Sequence, residues 1–236
     1  PLDVCVPTGN FGNILAAWYA KQIGTPLGTL FCASNENRVL TDFINTGSYD
    51  ISDREFVLTP SPSMDILISS NLERLLYHLS GGDGMKIKEL MEALDTKKSY
   101  EIDETIRAGL TDFYGGFCNV EETNEAIGRM FSENGYLIDT HTAVAYKVYE
   151  DYKKETGDTK PTLIASTASA YKFAESVCEA IGLPKQENGF AAVAALKEKT
   201  GVRVPSGLKD LEEKEIRHKD VIDINEMPEA VYNSVK

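Results

Sequence analysis

The sequence predicts an α/β protein: a mostly parallel sheet flanked by helices, with a helical insertion in the middle of the chain. Three observations predict it. Short apolar runs at residues 3–6, 27–33 and 161–165 have the length and composition of strands. Each is followed by a loop of small residues and then by a helix-prone segment, the alternation that builds a parallel sheet covered on both faces. Between the second and third of these units, residues 63–135 change to apolar spacing of mainly helical period.

The elements follow in order. Residues 3–6 open as a strand, residues 7–13 break it, and residues 14–23 read as a helix with Gly24 as its stop. Residues 27–33 form a buried strand; Ser34 or Asn35 caps a helix running to about Asn45, and Gly47 ends it. In the insertion, residues 64–79 carry Ile66, Leu67, Leu72, Leu75, Leu76 and Leu79 at helical spacing. Residues 85–94, 101–110 and 121–132 read as three more helices, and Gly81-Gly82-Asp83-Gly84 as a flexible joint. Residues 136–138 are a short strand and 142–155 a helix. Residues 161–165 are a strand, 166–170 a loop and 171–181 a helix. The predicted organisation is an α/β part from residues 1–62 and 136–183, a helical insertion at 63–135, and a helical and irregular tail at 184–236.

Composition narrows the function. Apolar residues make up 42% of the 236, enough for a core, and the net charge is −13. That acidity argues against nucleic acid and against an anionic membrane surface. No run approaches the roughly 18 apolar residues of a membrane span. The chain opens on Pro1 with apolar alternation at once, as if inside a strand, and carries no leader pattern; the expectation is a truncated chain whose first strand could lie unpaired at an edge and invite self-association. Cys5, Cys32, Cys118 and Cys178 are far apart, as are His78, His141 and His218, so neither zinc spacing nor another metal site is expected. Free thiols fit a reducing, cytoplasmic setting.

Four motifs could carry chemistry. Thr8-Gly9-Asn10-Phe11-Gly12-Asn13 joins a strand to a helix; its glycines permit a tight turn and close approach of a ligand, and the helix start offers unpaired N–H groups to a phosphate. Taken alone it is also an ordinary strand–helix turn. It matches neither a dinucleotide fingerprint nor a Walker loop. Ser166-Thr167-Ala168-Ser169 follows a buried strand, where small hydroxyl residues face a ligand crevice or simply cap the next helix. His141, in Asp139-Thr140-His141-Thr142-Ala143, contacts a substrate anion, serves as an acid or base, or is satisfied by local backbone at the helix start. Residues 60–65 and 69–74 read as a proline turn and a helix cap, with Arg74 free to pair with a carboxylate or an anion.

The order of these four motifs resembles that of the threonine synthase family. The parallels are Val-Pro-Thr-Gly-Asn-Phe-Gly-Asn at 6–13, Ser-Pro-Ser-Met-Asp-Ile at 61–66 with Ser-Asn-Leu-Glu-Arg-Leu-Leu at 70–76, Asp-Thr-His-Thr-Ala at 139–143, and Ser-Thr-Ala-Ser at 166–169 with Lys172-Phe173. The match covers about residues 3–182. Thr140 stands where the family has Pro, Asn13 where many relatives have Asp, and Ser169 where some have His. The resemblance implies a fold-type-II pyridoxal 5′-phosphate (PLP) enzyme that converts O-phospho-L-homoserine and water to L-threonine and phosphate. It implies that Gly9, Asn10, Phe11, Gly12 and Asn13 hold the PLP phosphate, that Thr167 bonds the pyridine nitrogen, and that His141 and Thr8 lie near substrate. The family's Schiff-base lysine lies upstream of the phosphate loop, so no catalytic residue is expected in this chain and its partner is the missing N-terminal half. Lys21 and Lys172 do not match that position and read as surface helix lysines. Two other readings stay open: another fold-type-II lyase such as a Ser/Thr dehydratase, whose loop favours a run of glycines, and a non-catalytic phosphate-ligand binding domain.

Overall fold

A computed structural model describes residues 1–235. In chain order the elements are β1 (Leu2–Pro7), α1 (Gly12–Gln22), β2 (Leu27–Ser34), α2 (Val39–Thr46), β3 (Ser48–Asp50), α3 (Leu72–Leu79), α4 (Gly84–Lys97), β4 (Ser99–Glu101), α5 (Glu104–Gly109), β5 (Phe113–Phe117), α6 (Val120–Asn134), α7 (Thr140–Thr156), β6 (Thr162–Ile164), α8 (Ala174–Ala180), α9 (Gly189–Thr200) and α10 (Met227–Ser234). They divide into two units, residues 1–203 and residues 204 onward. The second unit holds α10, entered through a 3-10 turn that Asp223 and Glu226 cap reciprocally.

The α/β prediction holds. Four parallel strands stand in the order β5-β2-β1-β6. Alternate residues of the two inner strands face opposite sides, as a pleated strand requires. Val4, Val6, Leu30 and Cys32 enter one core with Ile14, Trp18, Leu40 and Phe43 from α1 and α2. Cys5, Phe31 and Ala33 enter the other with Val144, Ala145 and Val148 from α7. On that second face the ring of Phe31 meets Tyr114 and Tyr152 at centroid distances of 5.4 and 4.7 Å. All four cysteines are free and buried, and burial pushes the Cys32 thiol up to about 12.

Several expectations need correction. β1 is not an edge strand: β2 flanks it on one side and β6 on the other. Residues 63–135 are not wholly helical, because β4 pairs antiparallel with β3 and β5 joins the main sheet beside β2. β5 reads Phe-Tyr-Gly-Gly-Phe, and two adjacent glycines disguise a strand as a turn. Here they let helices close on both faces. A Cβ on Gly115 would lie 2.8 Å from the Thr41 carbonyl oxygen, and one on Gly116 would lie 2.6 Å from a Val148 methyl. Gly115→Ala is therefore expected to cost about 1–3 kcal/mol through overpacking, seen as a lower urea midpoint at unchanged slope.

The helix expected over 64–79 reduces to a 3-10 turn at Pro62–Met64 and to α3, with irregular chain between them. That chain is held by other partners: the Tyr49 hydroxyl donates to the Leu67 carbonyl at 2.8 Å and accepts from the Ser69 N–H at 3.0 Å. Residues 136–138 are a connector, not a strand. Asn35 does not cap α2, whose N-cap is Arg38. Its amide instead donates to Thr59 Oγ1 at 2.9 Å and Asp65 Oδ1 at 2.8 Å, fastening residues 59–65 beneath the carboxyl ends of the strands. The helix expected over 171–181 divides into a 3-10 turn at Ala170–Phe173 and α8. Among the described residues no helix is long and apolar enough to cross a membrane.

Candidate functional site

The chain leaves β1 at Pro7 and turns into α1 through residues 8–11. The sequence suggested that glycines make this turn. Neither Gly9 nor Gly12 has positive φ; Phe11 does, at φ 62° and ψ 7°. A left-handed Phe costs roughly 1–3 kcal/mol, which burial of its ring offsets: Phe11 is 1% exposed and packs 5.9 Å from Phe113. Gly9 serves close approach, since a Cβ there would sit 2.3 Å from the Ser63 carbonyl oxygen. At Gly12 a Cβ would meet nothing nearer than the Asn71 amide nitrogen at 3.7 Å, so this chain's own packing does not demand a glycine.

The loop's carbonyls are tied back. Ser69 Oγ donates to the Gly9 oxygen at 2.9 Å, and the backbone and side-chain amides of Asn71 donate to the Asn10 oxygen at 3.2 and 2.7 Å. Arg74 in turn donates to Asn71 Oδ1 at 2.8 Å. The motif at 69–74 is thus a clamp on the loop. No side chain caps α1, so its first N–H groups and the positive end of its dipole remain available to an anion.

Beside this helix start is a cavity of about 330 Å³. It is lined by the whole loop from Val6 to Ile14, by Ser63 and Met64, and by His141, Thr167, Ala168 and Lys172. The structure therefore brings Thr8, Gly9, Asn10, Phe11, Gly12, Asn13, His141 and Thr167 to one place. Thr8 is largely spent locally, donating its hydroxyl proton to the Val6 carbonyl at 2.7 Å.

His141 is buried at the start of α7, and both of its ring nitrogens face partners. Nε2 accepts from the Ser63 N–H at 3.1 Å, so the ring proton sits on Nδ1, which faces Asp139 Oδ1 at 3.4 Å. Asp139 is the N-cap of α7, accepting from the N–H groups of His141 at 2.9 Å and Thr142 at 3.3 Å, and from the Thr142 hydroxyl. Burial by itself would raise the Asp139 carboxyl, but the hydrogen bonds from His141 and Thr142 outweigh it and hold the group below the usual carboxylate range. The Thr142 hydroxyl also lies 3.2 Å from Ser166 Oγ, linking α7 to the loop after β6. In that loop Ser169 accepts from the Tyr171 N–H at 3.3 Å, the capping role open to it from sequence. Thr167 is left over: its hydroxyl makes no hydrogen bond among the described residues, and it lines the cavity.

Two of the lining residues that sequence reasoning missed bear on the site's geometry. Ser63 contributes its backbone on both sides, through the carbonyl against Gly9 and the N–H to His141, and a backbone role leaves no side-chain signature. Lys172 is exposed, as a surface lysine should be, and also lies on the cavity wall; the available signal was its place three residues after Ser169 in the Ser-Thr-Ala-Ser motif.

Comparison with known proteins matches the sequence and the fold to threonine synthases. The family described as "Threonine synthase, C-terminal" matches residues 142–233, so the resemblance extends into the tail beyond residue 182. Threonine synthase-like 1 of Macaca fascicularis is 46% identical over 182 residues, covering 77% of this chain and 24% of that protein. The crystal structure of threonine synthase from yeast aligns with a TM-score of 0.83 at 31% identity, covering 99% of this chain and 47% of that one. A PLP-bound threonine synthase from Brucella melitensis aligns with a TM-score of 0.76 at 33% identity, covering 91% of this chain and 42% of that one. The chain thus spans about a quarter of the first relative and less than half of each crystallised enzyme. A four-stranded parallel sheet, an uncapped helix start at its carboxyl edge and these relatives together show that the chain belongs to the threonine synthase family and corresponds to its C-terminal region.

Proposed function

We propose that this chain is the C-terminal part of a PLP-dependent enzyme that converts O-phospho-L-homoserine and water to L-threonine and phosphate, and that it does not turn over alone. The observation that carries the reading is the pairing, across one cavity, of an uncapped helix start with an uncommitted hydroxyl at Thr167. These residues fit the cofactor. The N–H groups at the start of α1 suit its phosphate, and Gly12 leaves room for that phosphate to approach the backbone. Thr167 suits its pyridine nitrogen, a partner that does not force ring protonation as a carboxylate would. When bound, the cofactor supplies an electron sink for charge developing beside the substrate's α-carbon.

The chain's own residues bind and orient. The clamp from Ser69 and Asn71 keeps the Gly9 and Asn10 carbonyls engaged, so the loop does not present them to a phosphate. His141 acts as a positioning residue, because its Nε2 already accepts from Ser63. The lysine that would anchor the cofactor is assigned to an upstream segment: Lys21 is committed to Asp112 and the Gly28 carbonyl, both at 2.7 Å. A second reading keeps the cofactor and changes the substrate; it is favoured by a relative at 46% identity that is named threonine synthase-like.

The test is made on the intact parent, incubated with PLP and O-phospho-L-homoserine while phosphate and threonine are followed together. Equal release of both supports the proposal. Cofactor binding without either product selects the second reading, and no cofactor binding overturns both. In this chain, Thr167→Val is expected to weaken PLP binding about 3- to 10-fold, the loss of one hydrogen bond, with unchanged thermal stability since the hydroxyl has no partner among the described residues. Equilibrium dialysis checks the first and thermal unfolding the second.

A further inference from the structure

We propose that a second cavity, between α1, α3 and the start of α4, binds a free α-amino acid with a large apolar side chain. It shares no lining residue with the cavity beside the loop at residues 8–13, so the proposal stands whether or not the cofactor reading does.

The cavity holds about 330 Å³, the lower end of the size of small-molecule sites. Its walls are Tyr19 from α1, Glu73, Arg74, Tyr77 and His78 from α3, and Ile87 from α4. The rings are ordered by one another. The Tyr19 hydroxyl is hydrogen-bonded to His78 Nε2 at 2.9 Å, and the His78 ring stands edge-on to Tyr19 and Tyr77 at centroid distances of 5.3 and 5.8 Å. Behind them the buried Trp18 lies 5.5 Å from Tyr19 and 5.6 Å from His78. Tyr19 and Tyr77 nevertheless remain 38% and 44% exposed, so ring surface that the fold holds in place is left uncovered.

Two opposite charges complete the wall. Glu73 and Arg74 are consecutive on α3, and consecutive helix positions do not face each other, so they form no ion pair together. The Glu73 side chain makes no hydrogen bond or ion pair among the described residues. Arg74 commits Nη1 to Asn71 Oδ1 at 2.8 Å and leaves the rest of its planar fork open, a shape that suits a carboxylate. One carboxylate, one open guanidinium and three rings are complementary to an ammonium, a carboxylate and an apolar side chain carried on one small molecule. An inorganic anion would use Arg74 alone, and a simple amine would leave Arg74 unused; an apolar α-amino acid engages every group in the wall.

Trp18, the one tryptophan of the sequence, is a built-in reporter behind the cavity. L-Phenylalanine is titrated onto this chain while tryptophan emission is followed. Three further probes each lack one group: 3-phenylpropanoate the ammonium, 2-phenylethylamine the carboxylate, and L-alanine the ring. L-Phenylalanine is expected to give a saturable change, and each truncated probe to bind about tenfold more weakly or worse, the scale of one charge-assisted contact or one buried ring. Glu73→Gln should weaken L-phenylalanine about tenfold and leave 3-phenylpropanoate within about twofold, since that probe carries no ammonium. Tyr77→Ala, at an exposed ring, should weaken L-phenylalanine about fivefold. 4′-Deoxypyridoxine 5′-phosphate, which has no aldehyde to condense with an amine, should leave the L-phenylalanine affinity within about threefold, as separate sites require. Displacement by it would put the amino acid in the cavity beside the start of α1 and overturn the proposal. No saturable response up to about 10 mM, equal affinity for any truncated probe, or indifference to either substitution overturns it as well.

Discussion

Gly9→Ala is expected to remove PLP binding and to lower stability by about 3 kcal/mol, the upper end of what overpacking costs. The added methyl would stand 2.3 Å from the Ser63 carbonyl oxygen, and that oxygen belongs to backbone, which cannot swing aside as a long side chain can. Either residues 61–64 retreat, taking the Ser63 N–H from His141, or the loop retreats, taking the Gly9 oxygen from Ser69. Both routes spoil the cavity wall. Gly12→Ala is the control. Its methyl meets only the Asn71 amide at 3.7 Å, so the fold should be unchanged to within about 0.5 kcal/mol. PLP binding should still weaken about tenfold, because the methyl stands where a phosphate would approach the backbone. Urea unfolding and PLP titration on the two variants separate a structural glycine from a ligand-facing one. A Gly9→Ala protein with wild-type midpoint and affinity would contradict the packing of residue 9 on Ser63.

Asp139→Ala is expected to destabilise the protein by about 2–4 kcal/mol, combining loss of an N-cap with buried donors left unsatisfied. The carboxylate accepts from two backbone N–H groups and the Thr142 hydroxyl and faces His141, so one substitution frees the start of α7, the imidazole and, through Thr142, the Ser166 loop. Asp139→Asn keeps an acceptor for the cap and should cost less, about 1–2 kcal/mol. The pH dependence has a definite sign. The folded carboxyl titrates below its unfolded value of about 3.9, so its stabilisation is present above about pH 4 and is lost as the pH falls through the folded value. The stability gap between wild type and Asp139→Asn should therefore be full at pH 7 and close under acid. Denaturant titrations at a series of pH values measure it; a gap that widened below pH 4 would place the proton elsewhere.

What could be read in advance was whatever depends on local pattern. β1, β2 and β6 were legible because each is an apolar run that ends in small residues, and α7 because its periodicity is unbroken. β5 was not, because Gly115 and Gly116 look like a turn until Thr41 and Val148 are seen pressing on them from opposite faces. The segment before Leu72 was over-read as helix because Ile66 and Leu67 fit helical spacing, while the groups that deny it a helix, Tyr49 and the loop carbonyl at Gly9, are distant in sequence. At the site the residues gathered around the cavity were legible from their order, but their working states were not. The left-handed residue is Phe11 instead of a glycine, Nε2 of His141 is already engaged, and the exposed Lys172 also lines the cavity.

The interior place of β1 has a consequence for how the molecule is made. On one side β1 pairs with β2, where Val4 meets Leu30, a short loop closure. On the other it pairs with β6, where Asp3 meets Thr162, about 160 residues away. At a synthesis rate of about 5–20 residues per second, one flank of β1 waits roughly 10–30 s on the ribosome before its neighbour exists. During that interval Val4 and Cys5 present open ladder groups to any passing strand. Contacts of such long sequence separation also slow folding in solution. Refolding from denaturant is therefore expected to be limited by closure of β6 onto β1, and a holdase that shelters β1 until residue 164 has emerged should raise the yield of native protein more than one that acts after release.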